Sequence, residues 1–340
     1  MSRVTEYSKL MRLKAMGVSN VAIFGALSVS GVIELHHFLL LFFIGVAFNI
    51  LGFVLNDYID IEIDKKSEDL SDRPLVKGTI TKESALRLVF FLYILIFLLA
   101  IIFWDLLSLV TLFIALILGT IYDCYGKKFL FSDIILAASI AFFCIFGALT
   151  ISPKIGMLTV IIVILIFTHV LFFNIIEGGL KDAYTDQKIK ARTAAVYMGV
   201  KTKPDIYIPK SFKAFAVILE STSAIIVFLP FLIIPKIYRF EFWYIQVILL
   251  IILTVSLFLT MYKMLNMKSF DRDKIRTEIV KQEAKRYIIT AVILIGVTGF
   301  FWPIILILLP FIWAFIWFLI FKFIFHEKLA RASRLLILFK

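Results

Sequence analysis

The chain of 340 residues is 62% hydrophobic and 18% charged, whereas a soluble domain keeps roughly a quarter of its residues charged. Apolar runs recur between residues 18 and 321 with only short polar breaks, which excludes a soluble enzyme, a fibrous protein and a disordered chain, and predicts an all-α integral membrane protein. The net charge of +12 does not mark a nucleic-acid partner, because Lys and Arg fall between the apolar runs rather than along one amphipathic face.

In chain order, Arg3, Lys9, Arg12 and Lys14 precede a first apolar run that has no small-residue cleavage site. It reads as a retained helix with the N-terminus in the cytoplasm. A spanning helix needs about 20 apolar residues, and eight runs qualify or nearly do, at about 17–34, 38–56, 86–104, 106–122, 132–152, 155–178, 214–234 and 242–265. The last run, 287–321, is too long for one ordinary span and contains Pro303 and Pro310, so it is either one long broken helix or a tight hairpin. The expectation is therefore nine transmembrane helices, or ten with the hairpin.

Alternation from a cytoplasmic N-terminus puts 28 of the 36 Lys and Arg on the inner side and only Lys154, Lys236 and Arg239 on the outer side. This is the asymmetry the positive-inside rule requires of a multi-pass protein of the cell membrane. The five basic residues after Phe321 join the inner side only if the last run is a hairpin.

The long inner loops follow the second and the sixth helices. This spacing predicts two pseudo-repeated four-helix bundles around a central cavity, about 17–122 and 132–265, in a single domain with a C-terminal helix or hairpin at 287–321. Cys124 and Cys144 have no paired spacing and the four His form no ligand pattern, so neither a disulfide framework nor a zinc site is expected.

The chemistry concentrates at the inner end of the second helix, in Asn56-Asp57-Tyr58-Ile59-Asp60-Ile61-Glu62-Ile63-Asp64. On a helix, Asn56, Asp60 and Asp64 recur at i, i+4 and i+8, with Asp57 beside them, so their oxygens share one face. Clustered carboxylates of this kind are hard ligands suited to Mg²⁺, which is commonly shared with substrate phosphates. The sixth helix ends in a second pair at i, i+4, Asp182 and Asp186, followed by Arg192. Asn49, two turns before Asn56, is placed to extend the polar stripe inward.

These residues resemble the UbiA superfamily of intramembrane prenyltransferases, whose signature is N-D-x-x-D-x-x-x-D in the first long loop and D-x-x-x-D in the second. Asn56, Asp57, Asp60 and Asp64 match the first motif, and Asp182 and Asp186 the second. The run Asp72-Arg73-Pro74-Leu75-Val76-Lys77-Gly78 is similar to the family's N-R-P-L-x-x-G, with Asp72 in place of Asn. The second loop departs more, with Thr185 before the last Asp and Lys190 after it where Gly is common. The resemblance covers roughly residues 1–300.

It implies transfer of a prenyl group from an isoprenyl diphosphate to a hydrophobic or aromatic acceptor, with Mg²⁺ between the two acid motifs. Asn56, Asp57, Asp60, Asp64, Asp182 and Asp186 are then the metal ligands. Diphosphate leaves an allylic carbon only if its growing charge is neutralised, and Arg73, Lys127, Lys128, Lys181 and Arg192 flank the acids. Arg73 is the first candidate for a bidentate phosphate contact, and Asn56, Lys181 and Arg192 join it in substrate binding. Tyr122, Lys127 and Lys128 complete the catalytic candidates, Tyr122 through a position the family often places near the diphosphate or the forming cation.

Within the sixth helix, His169 reads as a helix–helix hydrogen-bonding group, while Asn174 and Glu177 read as cavity-facing, Glu177 as a group that orients the acceptor or a metal-bound water. Two other classes compete. A CDP-alcohol phosphatidyltransferase requires D-G-x-x-A-R before its acids, and none precedes Asp57 or Asp182. A cation-coupled transporter predicts acids on broken helices near the bilayer midplane, whereas these lie at helix ends beside long polar loops.

Overall fold

The computed structural model describes residues 3–15, 17–65, 70–202, 205–234 and 243–324, and among them every regular element is helical. The basic residues Lys236 and Arg239 and those after Ile324 lie outside the described residues. The chain runs through α1 (Arg3–Leu10), α2 (Val21–Ser30), α3 (Leu35–Ile59), the short α4 (Ile61–Asp64) and α5 (Pro74–Lys77), α6 (Lys82–Phe103), α7 (Leu106–Tyr125) and α8 (Asp133–Leu149). Then α9 (Met157–Leu171) continues through a π-helical turn (Phe172–Gly178) into α10 (Gly179–Ile189). After α11 (Ala194–Tyr197) come α12 (Lys210–Ile233), α13 (Trp243–Leu265), α14 (Arg272–Ile293), α15 (Ile295–Thr298) and α16 (Phe301–Ile324).

Seven of these are long and apolar enough to cross a membrane: α3, α6, α7, the composite Met157–Ile189, α12, α13 and Phe301–Ile320. Inside hydrocarbon a helix is the one open-ended structure that satisfies its own backbone, and these runs of Leu, Ile and Phe supply nothing that competes with it. Side-chain caps start three of the helices: Thr81 accepts from Ser84 N before α6, Asp105 from Ser108 N before α7, and Asp271 from the amides of Asp273 and Lys274 before α14. Phe90, Ile94, Leu98 and Ile101 on α6 are exposed, a stripe fit for lipid rather than for a packed partner.

The helices interlock through small residues. A Cβ added to Gly147 on α8 would stand 1.8 Å from the Ala22 carbonyl oxygen of α2, and one on Gly25 of α2 would stand 2.0 Å from that of Cys144. Backbones come this close only where glycine leaves the space. Ser28 Oγ then donates to Thr159 Oγ1 at 2.8 Å, tying α2 to α9, and the rings of Phe48 and Phe143 stack at 4.3 Å between α3 and α8. Because α8 packs against both α2 and α7, the two expected helix sets share packed contacts.

The terminal run is a hairpin. The chain turns at Gly299, whose φ of 62° suits a residue without Cβ, and Tyr287 on one arm donates to the Leu306 carbonyl on the other at 2.9 Å. Neither Pro303 nor Pro310 makes the reversal, since both lie within α16. The same hydroxyl accepts from Asn20 Nδ2 at 2.7 Å, and Trp313 Nε1 donates to the Leu13 carbonyl at 2.6 Å, so the hairpin closes onto the N-terminal segment.

Candidate active site

At one end of the bundle the loops after α3 and after α10 meet over a chamber of about 540 Å³. The first acid motif reaches it because hydrogen bonding from α3 into α4 survives the break at Asp60: Asp60 N donates to Asn56 O at 2.9 Å and Asp64 N to Asp60 O at 2.8 Å. Asn56, Asp60 and Asp64 therefore keep one face, as expected, and all three line the chamber, with Asp182 and Asp186 of α10 lining it too. The loop between α7 and α8 links them, since the Arg192 amide donates to the Lys127 carbonyl at 3.1 Å and the Lys127 side chain reaches Asp60.

Cations are interleaved with these acids. Lys127 Nζ donates to Asp60 Oδ2 at 2.5 Å, Arg73 Nη1 to Asp57 Oδ1 at 2.9 Å and also to Asp64 Oδ2, and Lys181 Nζ lies 3.2 Å from Asp182 Oδ2. Burial, then Asp60 and Asp57, raises the Asp64 carboxyl above the usual carboxylate range against the pull of Arg73 and Lys127. A group in that state gains from a further cation. Tyr122 lines the chamber, and Lys128 sits at its rim, 5.0 Å from the centre of the Tyr125 ring.

Five of the residues singled out in the sequence stand apart from the chamber lining. Asp57 Oδ1 accepts from Arg12 and from the same Arg73 Nη1 that donates to Asp64, and Asp57 lines an adjoining pocket with Lys181 and Asp182 rather than the chamber itself. The Arg192 side chain is exposed and does not line the chamber, while its backbone amide donates to the Lys127 carbonyl. Asn49 donates to the Ala15 carbonyl at 3.1 Å, holding the N-terminal segment rather than extending the polar stripe. His169 is buried on α9 with Nε2 unpartnered rather than bridging helices. Glu177 is wholly buried against Arg286 and does not line the chamber, whereas Asn174 does.

Sequence reasoning also missed residues that the fold brings in. Arg12 Nη2 donates to Asp57 Oδ1 at 2.7 Å, and Arg272 Nη2 to Asp182 Oδ1 at 2.8 Å; both guanidinium groups line the chamber, as do Asp123 and Asp133. Arg12 looked like a topology charge among its basic neighbours. Arg272 opens α14 directly after the cap Asp271, and nothing in its local sequence points 90 residues back to Asp182. Asp123 hydrogen-bonds Asn56, and its position directly after Tyr122 was the one available signal. Lys190, where a glycine is common in the family it resembles, takes φ of 56°, so the lysine carries the left-handed strain that a glycine would avoid.

The donor set fits Mg²⁺. Among the described residues no three Asp, Glu, His or Cys side chains close into a ready-made cage. Mg²⁺ does not need one, being held through one or two carboxylates with water and substrate phosphates making up its octahedron. The carboxylates of Asp60, Asp64, Asp182 and Asp186 would offer those oxygens from two sides, and the chamber leaves room for the rest.

Fold and chamber define a multi-pass helical membrane protein with two acid motifs and their basic partners gathered at one end of the bundle. A sequence model of the UbiA prenyltransferase family matches residues 18–281. The chain belongs to that family. Among solved structures it is similar to digeranylgeranylglyceryl phosphate synthase, with 22% identity, a TM-score of 0.64, and coverage of 88% of this chain and 99% of that one. A UbiA homologue from Archaeoglobus fulgidus bound to GPP and Mg2+ aligns with 16% identity and a TM-score of 0.64, over 86% of this chain and 99% of that one. One from Aeropyrum pernix K1 aligns with 15% identity and a TM-score of 0.59, over 89% and 98%. At these identities the likeness is one of fold. No curated protein matches the chain.

Proposed function

We propose that this protein is a Mg²⁺-dependent prenyltransferase that moves a prenyl group from an isoprenyl diphosphate to an aromatic or other lipid-precursor acceptor and releases diphosphate. The observation that carries the reading is the single chamber in which Asp60 and Asp64 meet Asp182 and Asp186 among Arg73, Lys127 and Lys181. A solved relative bound to GPP and Mg2+ supports the same donor substrate and ion.

In the reaction the allylic C–O bond breaks, the electron pair leaves with the diphosphate, and the acceptor supplies the pair for the new bond and loses a proton. Mg²⁺, when bound, neutralises charge growing on the departing oxygens. Asp60, Asp64, Asp182 and Asp186 hold the ions, with Asn56 beside them. Arg73, Lys127 and Lys181, already fixed by their acid partners, donate to the diphosphate without reorganising, and Lys128 adds positive charge at the rim. Tyr122, at the chamber wall, offers an aromatic ring to the forming cation. The N-terminus and both motif loops face the cytoplasm in this reading, and the prenyl tail runs into the bundle.

The test is diphosphate release by the purified protein in detergent from geranylgeranyl diphosphate with a panel of acceptors, and mass spectrometry of the products. Release is expected to require Mg²⁺ and to stop with a chelator, and Asp60→Ala and Asp182→Ala are expected to abolish it while remaining folded. Release that continues in the chelator, or wild-type rates in either variant at saturating Mg²⁺, overturns the metal-ligand roles. No prenylated product with any acceptor overturns transfer.

A further inference from the structure

Beneath the chamber lies a second polar cluster that the reaction does not use. Arg286 on α14 is 3% exposed at its side chain and binds three elements at once. Its Nη1 donates to Glu177 Oε1 in the π turn at 2.6 Å, and its Nη2 donates to Glu220 Oε2 on α12 and to Gln282 Oε1 on α14, each at 2.8 Å. The guanidinium carbon also stands 4.3 Å from the centre of the Phe172 ring, the first residue of that turn. Glu177 is 0% and Glu220 1% exposed. None of these side chains lines the chamber.

The π turn is what couples this cluster to the site. In an α-helix each residue advances the chain by about 100°, and a π turn accommodates an extra residue within the helix. Residues 182 and 186 are therefore rotated by about one residue's worth, roughly 100°, from where an unbroken α-helix continuing α9 would put them. Asn174 and Gly178 of this turn face the chamber together with Asp182 and Asp186 of α10, while Glu177 and Phe172 point back to Arg286. A π turn is rare and is retained only where surrounding contacts hold it.

We propose that Arg286 is a positioning residue for the second acid motif: by gripping Glu177 and covering Phe172 it holds the π turn, and so the rotation of α10 that presents Asp182 and Asp186 to the chamber. The inference rests on the reading that those two acids hold a divalent cation. A cluster that served only helix packing would lower the melting temperature when broken and leave the metal site of the folded protein as it was.

The experiment uses full-length protein in detergent with inorganic diphosphate, and follows Mn²⁺ binding by electron paramagnetic resonance beside thermal unfolding. Glu177→Leu and Arg286→Met are expected to weaken Mn²⁺ binding by about 10- to 100-fold, the usual cost of losing a group that orients a ligand. Glu177→Gln keeps a carbonyl that accepts from Nη1 and is expected to stay within about threefold of wild type. Unchanged Mn²⁺ affinity in Glu177→Leu or Arg286→Met overturns the proposal. If neither folds, Arg286→Lys decides it, because it keeps the charge and loses the two-pronged grip; affinity equal to wild type overturns the role, and a loss of tenfold or more bears it out. Wild-type protein that binds no Mn²⁺ overturns the underlying metal reading instead, and Mn²⁺ binding without diphosphate release from a prenyl diphosphate overturns transfer while leaving the positioning role standing.

Discussion

Arg73 Nη1 bridges Asp57 and Asp64, so it does two things at once: it compensates acids that burial would otherwise penalise, and it holds a guanidinium ready at the chamber wall. Arg73→Ala removes both charge and fork, and is expected to lower the rate by about 10²- to 10³-fold, the usual cost of one preorganised electrostatic contact. Arg73→Lys keeps the charge without the fork and should lose less. The deficit should be the same with every acceptor, because ionisation of the prenyl diphosphate precedes attack by any of them. Steady-state rates across an acceptor panel check this, and a loss confined to one acceptor would place Arg73 in the acceptor pocket.

Among the elements, α2 and α8 show how a membrane bundle is held without hydrophobic contrast between helices. Gly147 and Gly25 let the backbones touch, so Gly147→Ala forces α2 and α8 apart and is expected to cost about 1–3 kcal/mol as overpacking. Gly52 on α3 has nothing within 4 Å of the added Cβ, and Gly52→Ala should instead gain about 0.5–1 kcal/mol of helix preference. Thermal unfolding in detergent reads both, with midpoints moving in opposite directions. The terminal element follows the same logic of close contact: α14 carries many charges, yet Lys285 donates to Thr260 Oγ1 at 2.5 Å and Gln246 Nε2 donates to the Val292 carbonyl at 2.7 Å.

For the molecule as a whole, the reading requires both motif loops on one side of the membrane. Single cysteines placed in 70–80 and in 191–202 should therefore react with an impermeant thiol reagent from the cytoplasmic face and not from the outer face, in a background lacking Cys124 and Cys144. The count of 28 inner basic residues against three outer ones motivates the side, and the chamber lined by Leu70 and Arg73 together with Ala191 and Thr193 motivates their juxtaposition. Labelling of either loop from outside would separate the acid motifs and break the site. The N-terminal segment belongs to the same assembly, since Arg12 reaches Asp57, and Thr79 Oγ1 donates to Glu6 Oε2 at 2.8 Å.

Membrane class, the approximate helices and the two acid motifs were legible because each is a local property: a run of apolar residues is a helix wherever it lies in lipid, and i, i+4 spacing puts Asn56, Asp60 and Asp64 on one face whatever they face. The hairpin at Gly299 was legible only as an alternative, because two prolines drew attention away from a glycine whose positive φ is invisible in one dimension. The arrival of Arg12 and Arg272 was not legible, and that of Asp123 was hinted at only by its place after Tyr122. Their partners lie 45, 90 and 67 residues away along the chain, and identical charges scattered through every inner loop give no sign of which pairs will meet. The π turn is the sharpest case. One extra residue in a helix leaves the apolar pattern intact and changes only the direction in which everything after it points, and that direction is set by Arg286, more than a hundred residues downstream.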